Sequence, residues 1–310
     1  MRSYHDLKSF LEWSPEEKDQ FTTNVIKGLI MDGVRKANSG HPGGAMSSSD
    51  FAYVLFTQFL NIDPDNTEWE NRDRFVLSAG HESMLMYSLL FMNGWMNLDD
   101  LKSFRQLHSK TPGHPEVEIP GVECTTGPLG QGIGMGVGMA VAEAILNHMF
   151  TAESSQNPIS HYTYVLAGDG DLQEPIALGA AALAGHWGLG NLVLYYDSNN
   201  AQISGEIGRA DSTDYAGVFE SMGWKVQKIN GHDHDEIKTA LEYTKVSNVP
   251  SLIIGKTIMA KGSANREGDY ETHGAPLHQQ EIDETKELIG LPDELFYAPI
   301  EAIKHFQNRF

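Results

Sequence analysis

Cysteine and cationic side chains are scarce in this chain of 310 residues. Cys124 is the single cysteine, which excludes an internal disulfide and any cysteine-rich zinc or iron–sulfur site, and a reducing compartment is the simpler setting. Asp and Glu number 42 against 22 Lys and Arg, a formal net charge of −20. A nucleic-acid partner is therefore not expected, because phosphate backbones bind basic surfaces.

Long apolar runs and targeting signals are also missing. No stretch approaches eighteen consecutive apolar residues, so we predict no membrane contact. The N-terminal segment MRSYHDLKSFLEW has neither the apolar core of a signal peptide nor the Arg-rich composition of a transit peptide. We therefore expect a cytoplasmic protein, whose 40% hydrophobic residues suffice for a large core.

Four common catalytic and nucleotide-binding signatures do not occur in the sequence. It contains no Gly-x-Gly-x-x-Gly and no Gly-x-x-x-x-Gly-Lys-[Ser/Thr], which argues against dinucleotide and P-loop sites. It also lacks His-Glu-x-x-His and Gly-x-Ser-x-Gly, the usual marks of zinc proteases and serine hydrolases. Cys124 has no paired base nearby in sequence and is interpreted as a small packed residue.

Helical segments dominate the first half of the chain. Ser14, Pro15 and Glu17 form a capping pattern that predicts a helix to about Lys36. Residues 37–49 are glycine-rich and predict an ordered loop. The further predictions are a helix over 50–60, a strand over 74–78, a helix over 82–92, a long loop over 107–126 and a buried, glycine-rich helix after residue 132.

Apolar strands alternate with helices in the second half. The predicted strands are 162–167, 191–196, 224–229 and 251–257, with helices over 174–187 and from 235. This alternation is typical of an α/β fold with an open, mostly parallel sheet and helices on both faces. We expect one domain over 1–310, with an N-terminal extension at 1–14 and a C-terminal helical tail at 278–310.

Two polar segments follow neighbouring predicted strands. Gly168-Asp169-Gly170 ends one strand, and Asn199 lies 30 positions later, one strand–helix–strand crossover away. Ligands of open parallel sheets bind beyond the carboxyl ends of the strands. A carboxylate, an amide oxygen and the Ala201 carbonyl suit a hard divalent cation that shares its coordination with phosphate oxygens. The alternative is that these are ordinary turn residues.

Several histidines lie on predicted loops at the same sheet edge. His41 and His114 each precede a proline, and His81 follows a glycine at a strand end. One such histidine would be interpreted as a turn residue, but together with His273 they form a set of imidazoles suited to proton transfer near neutral pH.

A second histidine pair is interpreted differently. His232 and His234 resemble a metal cluster but directly precede a predicted helix, so Asp233 or Asp235 is expected to cap that helix, with no metal bound.

The cation segment resembles the thiamine diphosphate signature, and the chain from about residue 21 to 277 resembles the transketolase family. Seven segments carry the resemblance: 39–43 (SGHPG), 78–81 (SAGH), 113–116 (GHPE), 126–132 (TGPLGQG), 168–170 (GDG) with Glu174, 196–199 (YDSN) and 273–277 (HGAPL). Three positions depart from the family pattern, namely Pro175, Gly179 and Ala201.

The resemblance implies a thiamine diphosphate cofactor with its diphosphate on Mg²⁺ or Ca²⁺, and a metal site made of Asp169, Asn199 and the Ala201 carbonyl. It implies that the thiazolium lies near Gly127 and Leu129. The implied cofactor-binding residues are His81, Gly127, Pro128, Leu129, Gly168, Asp169, Gly170, Asn199, Ala201, His273 and, with least support, Lys261. The implied catalytic residues are His41, His81, His114, His273 and Glu174.

The implied function is that of the N-terminal subunit of a split transketolase, which transfers a two-carbon ketol unit from a ketose phosphate to an aldose phosphate. In the family, a glutamate on a second, pyrimidine-binding domain completes the site, so the partner would be a separate C-terminal subunit, in an α2β2 heterotetramer. The chain could instead be an excised half of a longer polypeptide. The alternative functions are a dihydroxyacetone synthase subunit, a deoxyxylulose-phosphate synthase-like subunit, and a non-catalytic pseudo-subunit. Sugar preference would depend mainly on residues of the other half.

Overall fold

The computed structural model describes residues 2–151, 158–203 and 205–308. Met1 and residues 309–310, at the ends of the predicted extension and tail, lie outside them. Five parallel strands form one sheet in the order β1-β2-β3-β7-β6. Its strands are β1 (Arg74–Leu77), β2 (Thr163–Gly168), β3 (Leu192–Ser198), β6 (Lys225–Asn230) and β7 (Ser251–Lys256). A short antiparallel hairpin, not predicted from the sequence, is made by β4 (Ala201–Gln202) and β5 (Gly205–Glu206).

Helices cover both faces of the sheet, which confirms the predicted fold class. The α-helices are α1 (Pro15–Ala37), α2 (Pro42–Ser47), α3 (Ser49–Val54), α4 (Ser83–Met92), α5 (Leu98–Lys102), α6 (Gln131–Thr151), α7 (Asp169–Leu172), α8 (Pro175–Trp187), α9 (Tyr215–Ser221), α10 (His234–Thr244), α11 (Gln279–Leu288) and α12 (Ile300–Gln307). Single 3-10 segments are Tyr4–Glu12, Gly80–Glu82, Ile207–Arg209 and Tyr270–His273, and a π-helical turn spans Leu55–Phe59.

Helix α1 forms as its sequence predicts. The Ser14 hydroxyl accepts a hydrogen bond from the Glu17 amide at 3.2 Å, and the Glu17 carboxylate accepts one from the Ser14 amide at 2.9 Å. Pro15 occupies the first helical position, where its missing N–H costs nothing. Asn38 ends the helix in the left-handed conformation, with φ of 50°.

The prediction of a loop over residues 37–49 was wrong, because helix α2 lies within it and is buried throughout. Pro42 is the first residue of the helix. Glycine occurs at the next two positions because neighbouring atoms leave no room for a side chain, and not because the backbone must be flexible. A Cβ atom on Gly43 would lie 2.8 Å from the Thr272 carbonyl oxygen, and one on Gly44 would lie 2.1 Å from Glu82 Oε1. Glycine is therefore what allows this helix to pack so closely against its neighbours.

Helix α6 was predicted to be buried, and this is wrong for its outer face. The inner face packs against the sheet so closely that a Cβ atom on Gly136 would lie 2.4 Å from Val165 Cγ2. On the outer face, Ile145 and Met149 are 54% and 57% exposed. The helix is long and apolar enough to cross a membrane by length and composition alone, but core helices pass the same test, so this is weak evidence.

The C-terminal helices are tied to α1 by a buried ion pair. Lys286 Nζ lies 2.8 Å from Asp32 Oδ1 and 2.9 Å from Oδ2, and both side chains are 1% exposed. The Phe296 amide donates to the same carboxylate at 2.6 Å. Residues 278–308 are thus packed on the core. The division into one domain with an extension and a tail stays a prediction.

Candidate functional site

The register of the sheet brings Asp169 close to Asn199. Gly168 of β2 pairs with Asp197 of β3, so the residues that follow leave the same edge side by side. Asp169 is 3% exposed. One of its oxygens accepts a hydrogen bond from the Tyr196 hydroxyl, while Oδ2 is buried with no hydrogen-bond partner in the described part of the chain.

Burial, with a smaller contribution from the Asp197 charge, raises the pKa of Asp169 to about 7, although the Tyr196 hydroxyl opposes the shift. A buried carboxylate with a free oxygen requires either a proton or a cation. The Asn199 amide is oriented, since its Nδ2 donates to Asp197 at 2.7 Å and its Oδ1 accepts from the Ala201 amide at 3.0 Å. These oxygens suit a hard divalent cation.

Within the described residues, no three His, Cys, Asp or Glu side chains come together as a metal site. A cation here would therefore depend on one carboxylate, one amide, a backbone carbonyl and oxygens of its ligand.

Asp197 connects three segments beneath this edge. It is fully buried and accepts hydrogen bonds from the hydroxyls of Ser47 (2.6 Å) and Thr257 and from the Asn199 amide. Helix α2, the segment after β7 and the segment after β3 are thereby fixed to one carboxylate.

Asp171 holds the glycine-rich segment before α6 against β2. Its carboxylate accepts from the Gly130 amide at 2.8 Å, the Ser78 hydroxyl at 2.6 Å and the Gly168 amide at 2.9 Å. Sequence reasoning missed this residue. Its signal was an extra acidic residue directly after Gly168-Asp169-Gly170.

A cavity of about 450 Å³ opens at this edge. It is lined by His41, His81, Glu82, His114, Gly127, Leu129, Gly168, Asp169, Gly170, Gln173, Glu174, Asn199, Ala201, Gln202, Ile203 and His273. Twelve of these were candidates from the sequence. Two other candidates do not line it: Pro128 is exposed, and Lys261 forms an ion pair with Glu267 at 3.1 Å.

Three of the predicted histidines are in mutual contact. The ring centroids of His41 and His81 lie 5.0 Å apart, those of His81 and His273 5.1 Å, and those of His41 and His273 5.7 Å. Burial, followed by the charges of neighbouring His273, Arg105 and His114, lowers the pKa of His41 to about 4. Burial also lowers the pKa values of His81 and His273, so all three rings are neutral at pH 7.

His114 lines the same cavity. A Cβ atom on Gly127, whose φ is 149°, would lie 3.3 Å from the His114 ring, so glycine is needed at that position. Burial and the nearby Arg105 lower the pKa of His114. Arg105, which donates to the Ser39 hydroxyl at 2.8 Å, is a cation near the site that the sequence analysis did not single out.

Glu174 is the residue that precedes the first turn of α8. It lines the cavity and lies next to Gly130, where an added Cβ atom would be 2.8 Å from Glu174 Cβ.

Cys124 packs against the apolar side chains around α6 and α8. This agrees with the prediction of a packed cysteine, and burial, with the charge of Glu123, raises the pKa of the Cys124 thiol to about 12.

The pair His232 and His234 binds a buried carboxylate. His232 Nδ1 and His234 Nε2 lie 3.0 and 3.1 Å from Asp50, which Lys27 Nζ also contacts at 3.0 Å. The Asp233 side chain accepts hydrogen bonds from the Asp235 and Glu236 amides in the first turn of α10, so Asp233 is the residue that caps the helix.

The sequence analysis also missed four lining residues, Glu82, Gln173, Gln202 and Ile203. Ile203 is 73% exposed and lies between this cavity and a second one of about 710 Å³. The second cavity is bordered by Glu271, Glu281 and Glu284. No sequence motif pointed to these positions, because they are brought to the cavity by chain segments whose geometry only the fold determines.

Comparison with known proteins gives consistent results. The family model described as "Transketolase, thiamine diphosphate binding domain" matches residues 18–310. Transketolase 1 of Vibrio parahaemolyticus is 50% identical over 282 residues, which cover 90% of this chain and 42% of that protein.

Crystal structures of transketolases are similar to the structure of this chain, among them the following two. Transketolase from Campylobacter jejuni is 45% identical with a TM-score of 0.89, covering 94% of this chain and 46% of that one. Pichia stipitis transketolase in complex with sedoheptulose 7-phosphate is 40% identical with a TM-score of 0.89, covering 94% and 44%. This chain spans less than half the length of these relatives. It belongs to the transketolase family and corresponds to that family's N-terminal, thiamine diphosphate-binding domain.

Proposed function

We propose that this chain is the N-terminal subunit of a transketolase, which transfers a two-carbon ketol unit from a ketose phosphate to an aldose phosphate. The observation that carries the proposal is a single cavity that is lined by Asp169, by Asn199 and by three touching imidazoles. Transketolase relatives crystallised with sugar phosphates, including sedoheptulose 7-phosphate, support the substrate class.

The proposed cofactor is thiamine diphosphate with Mg²⁺ or Ca²⁺. Asp169, Asn199 and the Ala201 carbonyl would hold the cation, with Gly168 and Gly170 allowing the diphosphate to approach the backbone. The unpartnered oxygen of Asp169 fits this assignment. When bound, the thiazolium ring supplies the carbanion that breaks and forms the carbon–carbon bond.

The histidines of the chain would orient the sugar and move protons. His41, His81 and His273 are neutral at pH 7, so each ring has one nitrogen that donates and one that accepts. An imidazole in this state can accept a proton from a substrate hydroxyl and return it. His114, beside Gly127, would act in the same cavity. Glu174 is proposed as a further catalytic residue because it lines the same cavity.

The proposed partner is the C-terminal, pyrimidine-binding part of a transketolase, present as a separate subunit in an α2β2 assembly. The chain corresponds to 42% of its relative's length, and large apolar side chains are exposed on α6 and α8, among them Met149 and Trp187. Exposed apolar patches of this kind mark protein interfaces. A single polypeptide that carries both halves would use the same surface. The cytoplasmic location stays a prediction.

The test is ketol transfer from xylulose 5-phosphate to ribose 5-phosphate with thiamine diphosphate and Mg²⁺. The chain is assayed alone, and again with a pyrimidine-binding transketolase half supplied in trans. Activity only with the second half supports the split enzyme. Activity with pyruvate or formaldehyde as a substrate instead would favour a synthase, and cofactor binding with no activity would favour a pseudo-subunit.

Two variants test the residue assignments. Asp169→Ala should abolish Mg²⁺-dependent binding of thiamine diphosphate while leaving the circular dichroism spectrum unchanged, and retained binding would mean that the cation is held elsewhere.

His114→Ala should leave cofactor affinity within about threefold of the wild type but slow transfer by about 10²–10⁴-fold, as expected for loss of a proton-transferring or orienting group. An unchanged rate would remove His114 from the mechanism.

A further inference from the structure

Glu82 is a buried acid in the wall of the cavity that the proposed function does not use. It ends the 3-10 segment Gly80–Glu82, directly after His81. Its side chain is 2% exposed and lines the same cavity as Asp169 and His273. A glutamate in such a position requires an explanation, because burying a carboxyl group is costly unless its hydrogen bonds are satisfied.

The Glu82 carboxyl is incompletely satisfied by the protein. Its Oε2 is buried and has no direct hydrogen-bond partner among the described residues, although the nearby Ser48 hydroxyl stabilises the charged form of the carboxyl group. Space for the side chain exists because residue 44 is glycine. A Cβ atom there would lie 2.1 Å from Glu82 Oε1. The Glu82 side chain can therefore occupy this position only because residue 44 has no side chain.

The groups around Glu82 favour its protonated form. Burial, and after it the charge of Asp197 from β3, raises the pKa of Glu82 well above its ordinary value, with a smaller contribution from Asp171 of α7 and opposition from the Ser48 hydroxyl. A protonated carboxyl has one O–H donor. No Lys or Arg is among the described residues that line the cavity, and the charge of the nearby Arg105 acts on His41 and His114.

We propose that the Glu82 carboxyl donates a hydrogen bond to an oxygen of the diphosphate group bound in this cavity. This role rests on the proposed function, since it requires a diphosphate ligand at the edge formed by Asp169 and Asn199. The O–H of a neutral acid binds an anionic oxygen without adding charge to a cavity that Asp169 and Glu174 also line. Glu82 is thus a cofactor-binding residue additional to the set predicted from the sequence.

The experiment is calorimetric titration of the complete chain with Mg²⁺ and inorganic diphosphate at pH 7, in four forms: wild type, Glu82→Gln, Glu82→Ala, and the double variant Gly44→Ala/Glu82→Ala. Glutamine keeps the shape and an N–H donor, so binding should stay within about threefold of the wild type. Alanine removes the donor and should weaken binding about 10- to 100-fold, the usual effect of losing a hydrogen bond to a charged group.

The double variant separates a ligand contact from a packing role. If Glu82 acts on the ligand, Gly44→Ala/Glu82→Ala binds diphosphate as weakly as Glu82→Ala, even where the added methyl restores the melting temperature. Recovery of affinity in the double variant, unchanged affinity in Glu82→Ala, or equal losses in Glu82→Gln and Glu82→Ala would each overturn the proposal.

The ³¹P NMR spectrum provides a second readout. The resonance of bound diphosphate should differ between the wild type and Glu82→Ala because a hydrogen bond to a phosphate oxygen is lost, and identical spectra would contradict the proposal. Failure of the wild-type chain to bind diphosphate with Mg²⁺ would overturn the proposed cofactor site, and the role of Glu82 with it. Wild-type binding that does not respond to Glu82→Ala would overturn the Glu82 proposal alone.

Discussion

Buried polar groups differ in their partners between two regions of the molecule. Those next to helix α1 form ion pairs, whereas several at the carboxyl edge of the sheet have no hydrogen-bond partner within the described residues. Around α1, Lys27 contacts Asp50 at 3.0 Å, and Lys286 contacts Asp32 at 2.8 Å, in pairs that are at most 3% exposed. At the sheet edge, His41 Nδ1, Glu82 Oε2, Asp169 Oδ2 and Gln173 Nε2 are buried without partners in the described chain.

The difference separates groups that stabilise the fold from groups that await a ligand. A buried polar atom without a partner costs about 1–3 kcal/mol, so four of them around one cavity represent stability that the chain forgoes. Near α1 the same residue types hold helices together. Even so, burial raises the pKa of Asp32 despite the opposing charge of Lys286. The pair therefore stabilises the fold only while both side chains are present. This contrast can be tested by three changes, ordered by their expected effect on the free energy of unfolding of this chain.

The largest effect is expected for Lys286→Met. This change leaves Asp32 buried without its cation, and breaking a buried pair from one side costs about 3–5 kcal/mol. Urea denaturation followed by circular dichroism measures the difference. Asp32→Asn/Lys286→Met is the matched control, because the neutral amide can still accept from the Phe296 amide, and it should recover much of the loss. A single variant as stable as the wild type would show that the pair does not fasten the C-terminal helices.

A smaller effect is expected from acidification, through His41. Its pKa is about 4 in the folded chain and near 6.5 when unfolded. Between these values the unfolded chain binds a proton that the folded chain does not, so stability is complete above pH 6.5 and falls as the pH drops towards 4. The loss should be about 1–2 kcal/mol once partial exposure is allowed for.

His41→Asn tests this assignment because it removes the titrating group while leaving a polar side chain. Urea denaturation at pH 7 and at pH 4.5 should show a smaller pH-dependent loss of stability in the variant than in the wild type. His81 and His273 contribute with the same sign, so the dependence is reduced and not abolished. Identical pH profiles for the two proteins would contradict a depressed pKa at His41.

The smallest effect on the isolated chain is expected for Met149→Glu on α6. Met149 is 57% exposed, so the free energy of unfolding should change by less than about 0.5 kcal/mol. Association with a pyrimidine-binding half should nevertheless weaken by tenfold or more, since a charge would be buried in an apolar interface. Leu11→Glu is the control, because Leu11 is 91% exposed and lies in the 3-10 segment Tyr4–Glu12, outside α6 and α8. Equal affinities for both variants would exclude this face as the interface.

Much of the fold could be predicted from sequence because local signals and the fold agree. The capping pattern at Ser14 and the alternation of strands and helices correctly indicated α1 and the parallel sheet. The prediction failed where tertiary packing overrides local preference. Pro42-Gly43-Gly44 suggested a loop, but its glycines are fixed by neighbours distant in sequence, such as Thr272 and Glu82.

The candidate site was predictable in its motif residues and not in its supporting ones. Asp169, Asn199 and the histidines carry recognisable spacing, and twelve predicted residues line one cavity. Asp171 and Glu82 could not be assigned roles from sequence. Asp171 acts through the backbone amides that donate to it, and Glu82 is accommodated by a glycine distant in sequence. The ion pair of Lys261 with Glu267 is likewise visible only in three dimensions, and a role for Lys261 in cofactor binding stays a prediction.

Asp197 has a consequence for the motions of the site. Because Ser47, Asn199 and Thr257 all donate to this one buried carboxylate, no single segment can swing away without exposing or stranding the charge that the other two depend on. The three segments that carry Ser47, Asn199 and Thr257 should therefore open together, as one cooperative unit. In hydrogen exchange, amides in α2, after β3 and after β7 should share a common opening free energy, and Asp197→Ala should divide that shared event into three independent ones.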